Sequence, residues 1–222
     1  MNHTDLKQSP VRIMNGDNDV GAQGAGHQDG GLQNVKSSAA NYDQLVDALL
    51  QPSRCWSPRE LIANFDNVPR SRGIYAWFFR SLPPGVPSLD TCSGQFGTLL
   101  YVGIAPNGPV SKRTLRDRIK DHLKGPIAAS TLRRSLAGLL AKDLGLKIVR
   151  NSQGRVQLPP DQEAILTQWM SNVAHIAWVV CDQPWDLERQ LLAQGPRLPL
   201  NISGSKDVYA KELRRVRGGM RT

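Results

Sequence analysis

The chain of 222 residues has few cysteines and lacks a long apolar segment. Its three cysteines, Cys55, Cys92 and Cys181, are far apart and form no Cys-x-x-Cys pair, which argues against a zinc knuckle. An odd number of unclustered cysteines suits a reducing compartment. No stretch has the length of a membrane span, and no charged start precedes an apolar signal core. We therefore expect a soluble, cytoplasmic protein without a membrane partner, although export of a folded domain stays open.

Acidic residues are in the minority, since 19 Asp and Glu residues accompany 28 Lys and Arg residues and the formal net charge is +9. The excess is uneven, because the first 40 residues contain three basic and four acidic side chains and the remainder therefore carries +10. A folded domain with this charge favours a polyanion, either nucleic acid or an anionic membrane face. A solvated basic surface that only keeps the protein soluble explains the charge equally well.

Three flanking segments surround a predicted core over residues 72–202. Residues 1–38 are rich in Gly, Asn, Gln, Asp and Ser without apolar periodicity, which predicts a disordered tail. Within 40–70 we expect two short helices packed on the core, the second opened by an N-cap, a proline and a capping-box glutamate at Ser57–Glu60. Residues 205–222 are predicted to form a basic terminal helix and tail.

The core combines short strands with amphipathic helices. Segments rich in aromatic and β-branched residues are predicted as strands: 73–79, 98–102 and 175–181. Segments with helical apolar spacing are predicted as helices: Thr114–Leu123, 130–144, 160–172 and 184–193. Residues 80–97 contain three prolines and are predicted to form no strand, whereas 126–172 is an apparent insertion with a small hairpin. The fold class is therefore α/β (or α+β), with a small three-stranded, mainly antiparallel sheet flanked by helices.

The helix that begins at Thr114 carries two polar residues at the margin of its apolar face. The Thr114 hydroxyl can cap the helix together with Asp117. Leu115, Ile119 and Leu123 form the buried stripe. Arg118 and His122 lie one turn apart on one margin of that stripe, where the helix meets the hairpin. A charge at that margin is costly unless it has a partner.

Glu188 lies on a predicted helix whose apolar residues are Trp185, Leu191 and Leu192. The spacing puts this carboxylate in the middle of the apolar face, where it needs a cation or hydrogen bonds. One interpretation is a structural ion pair with an arginine such as Arg118, and the other is a metal ligand. The helix alone favours neither chemistry decisively, and the ion pair is the more common use of such a residue.

Several of these residues form an ordered series along the chain. Gly73-Ile74-Tyr75 is followed by Tyr101-Val102-Gly103, then by Arg118 with His122, then by Glu188, and finally by Asn201. This series resembles the GIY-YIG endonuclease family over about residues 72–202, and the predicted order of elements is similar to that family's small core. Each tripeptide alone is a weak signal, whereas the ordered set is fairly specific.

The resemblance implies a role for each residue in phosphodiester hydrolysis. Tyr75 and Tyr101 would flank the scissile phosphate, and one of them would act on the attacking water. A phenol with a pKa near ~10 is a poor base at neutral pH, so a cation must lower that pKa or His122 must take the proton. Arg118 would neutralise charge that develops on the phosphoryl oxygens.

The remaining two residues complete the implied site. Glu188 would hold a single divalent cation, Mg²⁺ or else Mn²⁺, which polarises the phosphate. Asn201 would orient the site or the metal shell, and the products would carry a 5′-phosphate and a 3′-hydroxyl. Each residue also has an ordinary structural explanation, as a strand aromatic, an ion-pair partner, a half-buried histidine or a turn residue.

Basic residues outside this set are candidates for contacts with DNA phosphates, which would give salt-dependent affinity with little sequence preference. They are Lys112, Arg113, Arg116, Arg133 and Arg134, with Arg214, Arg215 and Arg217 near the C-terminus. The resemblance thus implies a metal-dependent DNA endonuclease. The alternatives are a non-catalytic nucleic-acid-binding module and a protein-interaction module on the same fold.

Overall fold

The computed structural model of the protein describes residues 42–203 and 208–219. The predicted tail at 1–38 lies outside the described residues, as does part of the predicted C-terminal segment. The described helices are α1 (42–50), α2 (Pro58–Ala63), α3 (Leu115–Lys124), α4 (Thr131–Leu140), α5 (Pro160–Val173), α6 (Pro184–Gln194) and α7 (Val208–Gly219). The strands are β1 (Gly73–Phe79), β2 (Ser93–Gly94), β3 (Gly97–Ala105), β4 (Val149–Arg150), β5 (Val156–Gln157) and β6 (Ala174–Val180). A 3-10 turn covers Phe65–Asn67.

The main sheet has the strand order β2-β3-β1-β6, and all of its pairs are antiparallel. The mixed α/β class with helices around an antiparallel sheet is confirmed. The sheet has four strands where three were predicted, because two exposed residues of the proline-containing segment, Ser93–Gly94, pair with the start of β3. The prolines precede this pair, so they do not interrupt its hydrogen bonds.

β1 lies at the centre of the sheet, and all seven of its residues are buried. Its register aligns Tyr75 with Gly103 on β3 and with Trp178 on β6. Alternate side chains point to opposite faces of a strand. Tyr75, Trp77 and Phe79 therefore face one core with α3, α4, α5 and α7, whereas Ile74, Ala76 and Phe78 face a second core with α1 and α6. Packing against a core on each face therefore fixes the position of β1.

Two helix starts form as their sequences predict. Ser57 and Glu60 make a reciprocal capping box at α2, and Thr114 and Asp117 make another at α3. The helix predicted over 130–144 ends earlier, at Leu140, and a turn with Gly145 at φ 62° follows it. Among the described residues, no helix has the length and apolar character that crossing a bilayer requires.

Candidate active site

Tyr75, Tyr101 and His122 form a compact cluster on one face of the sheet. The Tyr75 hydroxyl lies 2.7 Å from His122 Nε2, and both residues are fully buried. The Tyr101 ring lies 6.4 Å from the Tyr75 ring and 5.6 Å from the imidazole, measured between centroids. The sequence placed these three residues on three separate elements, and the fold brings their rings into contact.

Gly103 makes the Tyr75 position possible. The register puts these residues opposite each other on neighbouring strands, and the Tyr75 ring crosses over the glycine. A Cβ at position 103 would lie 2.5 Å from the Tyr75 Cζ atom, which is far inside van der Waals contact. The glycine of the Tyr101-Val102-Gly103 sequence is therefore needed for the approach of the phenol.

Arg118 extends from α3 toward the two tyrosines and interacts electrostatically with both. Its side chain is 21% exposed, and its nearest carboxylate is that of Asp121, 4.0 Å away. The buried Nε atom has no hydrogen-bond partner among the described residues. The guanidinium is thus partly desolvated, close to two phenols and only loosely paired, as expected for a group that binds an anion.

Glu188 lies on α6 and is partly buried rather than enclosed. The prediction that it occupies the middle of the apolar face is wrong, because Leu187 and Leu191 form the buried centre and Glu188 lies at its margin. The carboxylate nevertheless interacts electrostatically with Tyr75, Tyr101 and Arg118. Burial raises the pKa of Glu188, and Arg118 partly offsets this effect. Within the described parts of the chain, no close ion pair or hydrogen bond engages the carboxylate, so the structural ion pair is not formed.

Burial determines the protonation of the cluster. It raises the pKa of Tyr75 well above its ordinary value and also raises the pKa of Tyr101. Burial, together with the positive charges of Arg118, Arg133 and Arg113, lowers the pKa of His122 to about 3. At neutral pH both phenols are therefore protonated and the imidazole is neutral. Neither tyrosine can act as a base unless its own proton has an acceptor.

Asn201 is buried and serves the strand that carries Tyr101. Its Oδ1 accepts a hydrogen bond from the Val102 N–H at 2.9 Å, and its Nδ2 donates to the Val102 carbonyl at 2.8 Å. Both bonds fix β3 between the tyrosine and the glycine of the motif. The geometry assigns Asn201 to positioning the strand, and its amide makes no hydrogen bond to the tyrosines.

The predicted phosphate-contacting residues divide into exposed and structural ones. Arg133 is not a surface residue, contrary to the prediction, because its side chain is 1% exposed and forms an ion pair with Glu163 at 2.7 Å. Arg116 is bound to Asp66 and to the Val68 carbonyl. The others differ in exposure and partners: Lys112 is exposed, Arg113 pairs with Asp121, Arg134 donates to two carbonyls of 127–128, Arg214 donates to the Ile202 carbonyl, Arg215 pairs with Glu212, and Arg217 is partly buried.

Two exposed arginines that sequence reasoning missed lie beside the candidate site. Arg70 and Arg72 immediately precede β1, and the Ser71 carbonyl between them accepts a hydrogen bond from the Leu115 N–H at the start of α3. Arg72 also lies 6.0 Å from the centre of the Trp185 ring on α6. The Arg-Ser-Arg sequence directly before a strand of the motif was the available signal.

Few acidic or metal-binding side chains surround the candidate site. The described residues contain no group of three or more His, Cys, Asp or Glu side chains that could enclose a metal ion. A cation at this site would rest on the single carboxylate of Glu188, with water and substrate oxygens as its other ligands. Mg²⁺ is commonly bound in this way, with one or two carboxylates and substrate phosphates. The unpaired carboxylate therefore fits a divalent cation that arrives with its substrate.

Comparison with known proteins identifies the family of this site. Residues 73–219 match the family model of the GIY-YIG catalytic domain, from the first glycine of β1 to the end of α7. Searches among curated proteins and among solved structures found no significant match. GIY-YIG nucleases act on nucleic acid and generally use a divalent metal. Because the match covers well over half of the 222 residues, the chain belongs to the GIY-YIG nuclease family.

Proposed function

We propose that the protein is a divalent-metal-dependent DNA endonuclease that hydrolyses phosphodiester bonds and leaves a 5′-phosphate and a 3′-hydroxyl. One observation carries the proposal: the buried Tyr75–His122 hydrogen bond lies within the electrostatic reach of a cation that has only a distant carboxylate neighbour and of a carboxylate without a close ion pair. The cation is Arg118 and the carboxylate is Glu188. An arrangement with donors for a phosphate and an acceptor for a proton suits hydrolysis of a phosphate diester.

Tyr75 and His122 would activate the attacking water together. The water oxygen bonds to phosphorus while its proton moves to the Tyr75 oxygen and the phenol proton moves to His122 Nε2. The imidazole is neutral and can accept this proton, although its pKa of about 3 makes it a weak base without substrate. An anionic phosphate beside Arg118 would offset one of the positive charges that depress the pKa. The base would therefore strengthen when the substrate binds.

Arg118 and Glu188 would manage the negative charge of the reaction. The Arg118 guanidinium donates hydrogen bonds to the phosphoryl oxygens as their charge increases, and its loose pairing with Asp121 leaves donors for this purpose. Glu188 would hold Mg²⁺ or Mn²⁺, which when bound supplies Lewis-acid stabilisation of the phosphoryl and leaving oxygens. The bond from phosphorus to the 3′ oxygen then breaks, and the departing 3′ oxygen takes a proton from solvent water to become the 3′-hydroxyl.

The DNA backbone would follow the exposed basic residues next to α3. Arg70 and Arg72 before β1 and Lys112 and Arg113 before α3 are brought together by the hydrogen bond between Leu115 and Ser71. These four residues form the basic strip. Phosphate contacts of this kind orient a duplex without reading its sequence.

A nicking assay on supercoiled plasmid with Mg²⁺ tests the proposal. Glu188→Gln and Arg118→Gln are each expected to reduce the cleavage rate by roughly 10²-fold or more, because each removes a charge that acts on the transition state. Arg189→Gln and Lys120→Gln are matched controls on the same helices, with exposed side chains, and are expected to stay within about twofold of the wild type.

Two results would contradict the proposal. The first is a folded wild-type protein that binds DNA but cuts neither plasmid nor oligonucleotide substrates with Mg²⁺ or Mn²⁺, which would indicate a binding module. The second is equal cleavage by the Glu188→Gln variant and its Arg189→Gln control. Circular dichroism of each variant separates loss of activity from loss of folding.

A further inference from the structure

The first turn of α4 contacts the catalytic cluster although it belongs to the segment predicted as an insertion. Ser130, which caps α4, has its hydroxyl 2.6 Å from His122 Nδ1. The next residue, Thr131, has its hydroxyl 3.2 Å from the Tyr101 hydroxyl. Ser130 is 1% exposed and lies entirely within the protein. The start of α4 therefore supplies one side-chain oxygen to each of two residues of the cluster.

The surroundings of Tyr75 indicate which imidazole nitrogen carries the proton. The Tyr75 phenol is buried and protonated, and the Tyr101 hydroxyl also interacts with it. His122 Nε2, at 2.7 Å, is the close acceptor. Arg118, which faces the same phenol, can only donate hydrogen bonds and repels a proton directed at it. The phenol proton therefore points to Nε2. A neutral imidazole that accepts at Nε2 carries its proton on Nδ1.

Ser130 is suited to accept that Nδ1 proton. Its hydroxyl oxygen has two lone pairs, and one of them accepts the Arg133 N–H at 3.1 Å as the helix cap. The second lone pair is available for the Nδ1–H at 2.6 Å. The capping bond fixes the position of this oxygen, because the first turn of α4 holds the Ser130 side chain against the helix.

We propose that the Ser130 hydroxyl is a positioning group that holds His122 in the Nδ1–H tautomer, so that Nε2 can take the proton of Tyr75. This inference rests on the proposed function and names a residue that the nuclease motif does not include. In the step, the water proton moves to the Tyr75 oxygen and the phenol proton to Nε2, while Nδ1–H keeps its bond to Ser130. With the opposite tautomer, Nε2 would already carry a proton and the transfer would have no acceptor.

Single-turnover cleavage by Ser130 variants gives the first test. Ser130→Gly and Ser130→Ala remove the hydroxyl, and glycine retains most of the stability of a helix cap. Both are expected to lower the cleavage rate on the order of 10-fold to 100-fold, a part of the 10²–10⁴-fold that a general base supplies. Ser130→Thr keeps the hydroxyl and is expected to retain most of the rate. DNA affinity is expected to be unchanged in all three variants.

Ser135→Ala is the matched control on the same helix. Ser135 is fully buried, and its hydroxyl donates to the Thr131 carbonyl rather than to the catalytic cluster. Removing this hydroxyl is expected to leave the cleavage rate within about twofold of the wild type. The proposal is overturned if Ser130→Gly and Ser130→Ala lose no more activity than Ser135→Ala, or if Ser130→Thr loses as much as Ser130→Gly.

Long-range proton–nitrogen NMR of the full chain tests the tautomer without any need for cleavage. The His122 signals are assigned by their loss in His122→Gln. We expect the wild type to carry the proton on Nδ1, and Ser130→Gly to shift the imidazole toward Nε2–H. An Nε2–H tautomer in the wild type, or the same tautomer in both proteins, overturns the inference. A wild type that cuts no DNA would contradict the proposed function, and the NMR result would still decide the tautomer.

Discussion

Arg118 and Arg133 lie on neighbouring helices, and both lower the pKa of the same histidine, yet their surroundings differ sharply. The Nη atoms of Arg133 contact Glu163, two backbone carbonyls at the end of α3 and the Met170 sulfur. Its side chain is 1% exposed. Arg118 is 21% exposed, and its carboxylate neighbour is 4.0 Å away.

We propose that the difference separates a charge that holds the fold together from a charge that binds a ligand. A buried ion is stable only when its partners are in place, and the Nη atoms of Arg133 have them within the chain, although its Nε, like that of Arg118, has no hydrogen-bond partner among the described residues. Arg118 is partly dehydrated and has Tyr75 and the distant Asp121 beside it, and Glu188 has lost part of its hydration without gaining a close ion pair. The burial of the Glu188 carboxylate costs stability in the unliganded protein. A phosphate and a cation would supply the missing partners. Four variants test this division between the two regions.

Arg133→Met is expected to have the largest effect. The substitution leaves Glu163 and the carbonyls at the end of α3 without their donor, so we expect a loss of about 3–5 kcal/mol in the free energy of unfolding. Arg118→Met, which removes no tight contact, is expected to change stability by less than about 1 kcal/mol. Urea unfolding measures both. Similar losses in the two variants would break the distinction between the two arginines.

Gly103→Ala is expected to have the next largest effect. A methyl group at this position overlaps the hydroxyl end of the Tyr75 ring, which is enclosed on all sides and cannot move outward. Overpacking of this kind costs roughly 1–3 kcal/mol. Displacement of the phenol from His122 Nε2 should also reduce cleavage. Gly108→Ala, which meets no neighbouring atom, is the control. Wild-type stability and activity in Gly103→Ala would mean that the phenol does not need this close approach.

The comparison also explains which features the sequence could predict. Three predicted features depend on residues within a few positions of each other. They are strand β1, the capping box of α3, and the placement of Arg118 and His122 one turn apart on the same helix. Such local patterns are visible in a single sequence. The order of the motif residues added Tyr101 and Asn201 by resemblance rather than by local pattern. For Glu188, which its helix spacing had already singled out, the resemblance added the role of a metal ligand.

The remaining features depend on partners that are distant along the chain. Arg133 was predicted on the surface because the spacing of residues along α4 does not reveal a partner elsewhere in the chain. The partner that allows its burial is Glu163, 30 residues later. From the sequence, Ser130 is an ordinary N-cap, and only the tertiary structure shows that its hydroxyl lies beside His122 on α3. The face of α6 was misjudged because the sheet, and not the helix, decides which leucines are buried. Contacts of this kind need the tertiary structure.

Lys112 and Arg116 provide a smaller test on the surface near α3. Lys112 is exposed, whereas Arg116 is held by Asp66 and by the Val68 carbonyl. If Lys112 belongs to the basic strip, Lys112→Gln should weaken DNA binding a few-fold, on the order of 1 kcal/mol, and reduce the slope of log affinity against log salt by about one. Arg116→Gln should leave that slope unchanged. Fluorescence anisotropy across a salt series measures the DNA affinity and the salt slope of both variants. If the slope of Lys112→Gln equals that of Arg116→Gln, Lys112 does not belong to the binding surface.

Glu188→Gln should have the smallest effect on stability. Whether the free energy of unfolding rises or falls in this variant distinguishes a ligand-binding carboxylate from a structural one. Burial raises the pKa of Glu188 in the folded chain above its unfolded value, so the folded state binds more protons between the two values. The wild type therefore loses stability as the pH rises through that interval, and the loss persists at neutral pH. Glutamine carries no charge, so the variant should be slightly more stable at pH 7, on the order of 0.5 kcal/mol.

This advantage should disappear once the pH falls below the ordinary carboxyl pKa of ~4, where both states of Glu188 are protonated. Added Mg²⁺ should also reduce it, because a bound cation stabilises the wild type and not the variant. Thermal unfolding of both proteins at several pH values, with and without Mg²⁺, measures these changes. A variant that is less stable than the wild type at pH 7 without metal would mean that Glu188 has a structural partner, and the contrast with Arg133 would then apply to Arg118 alone.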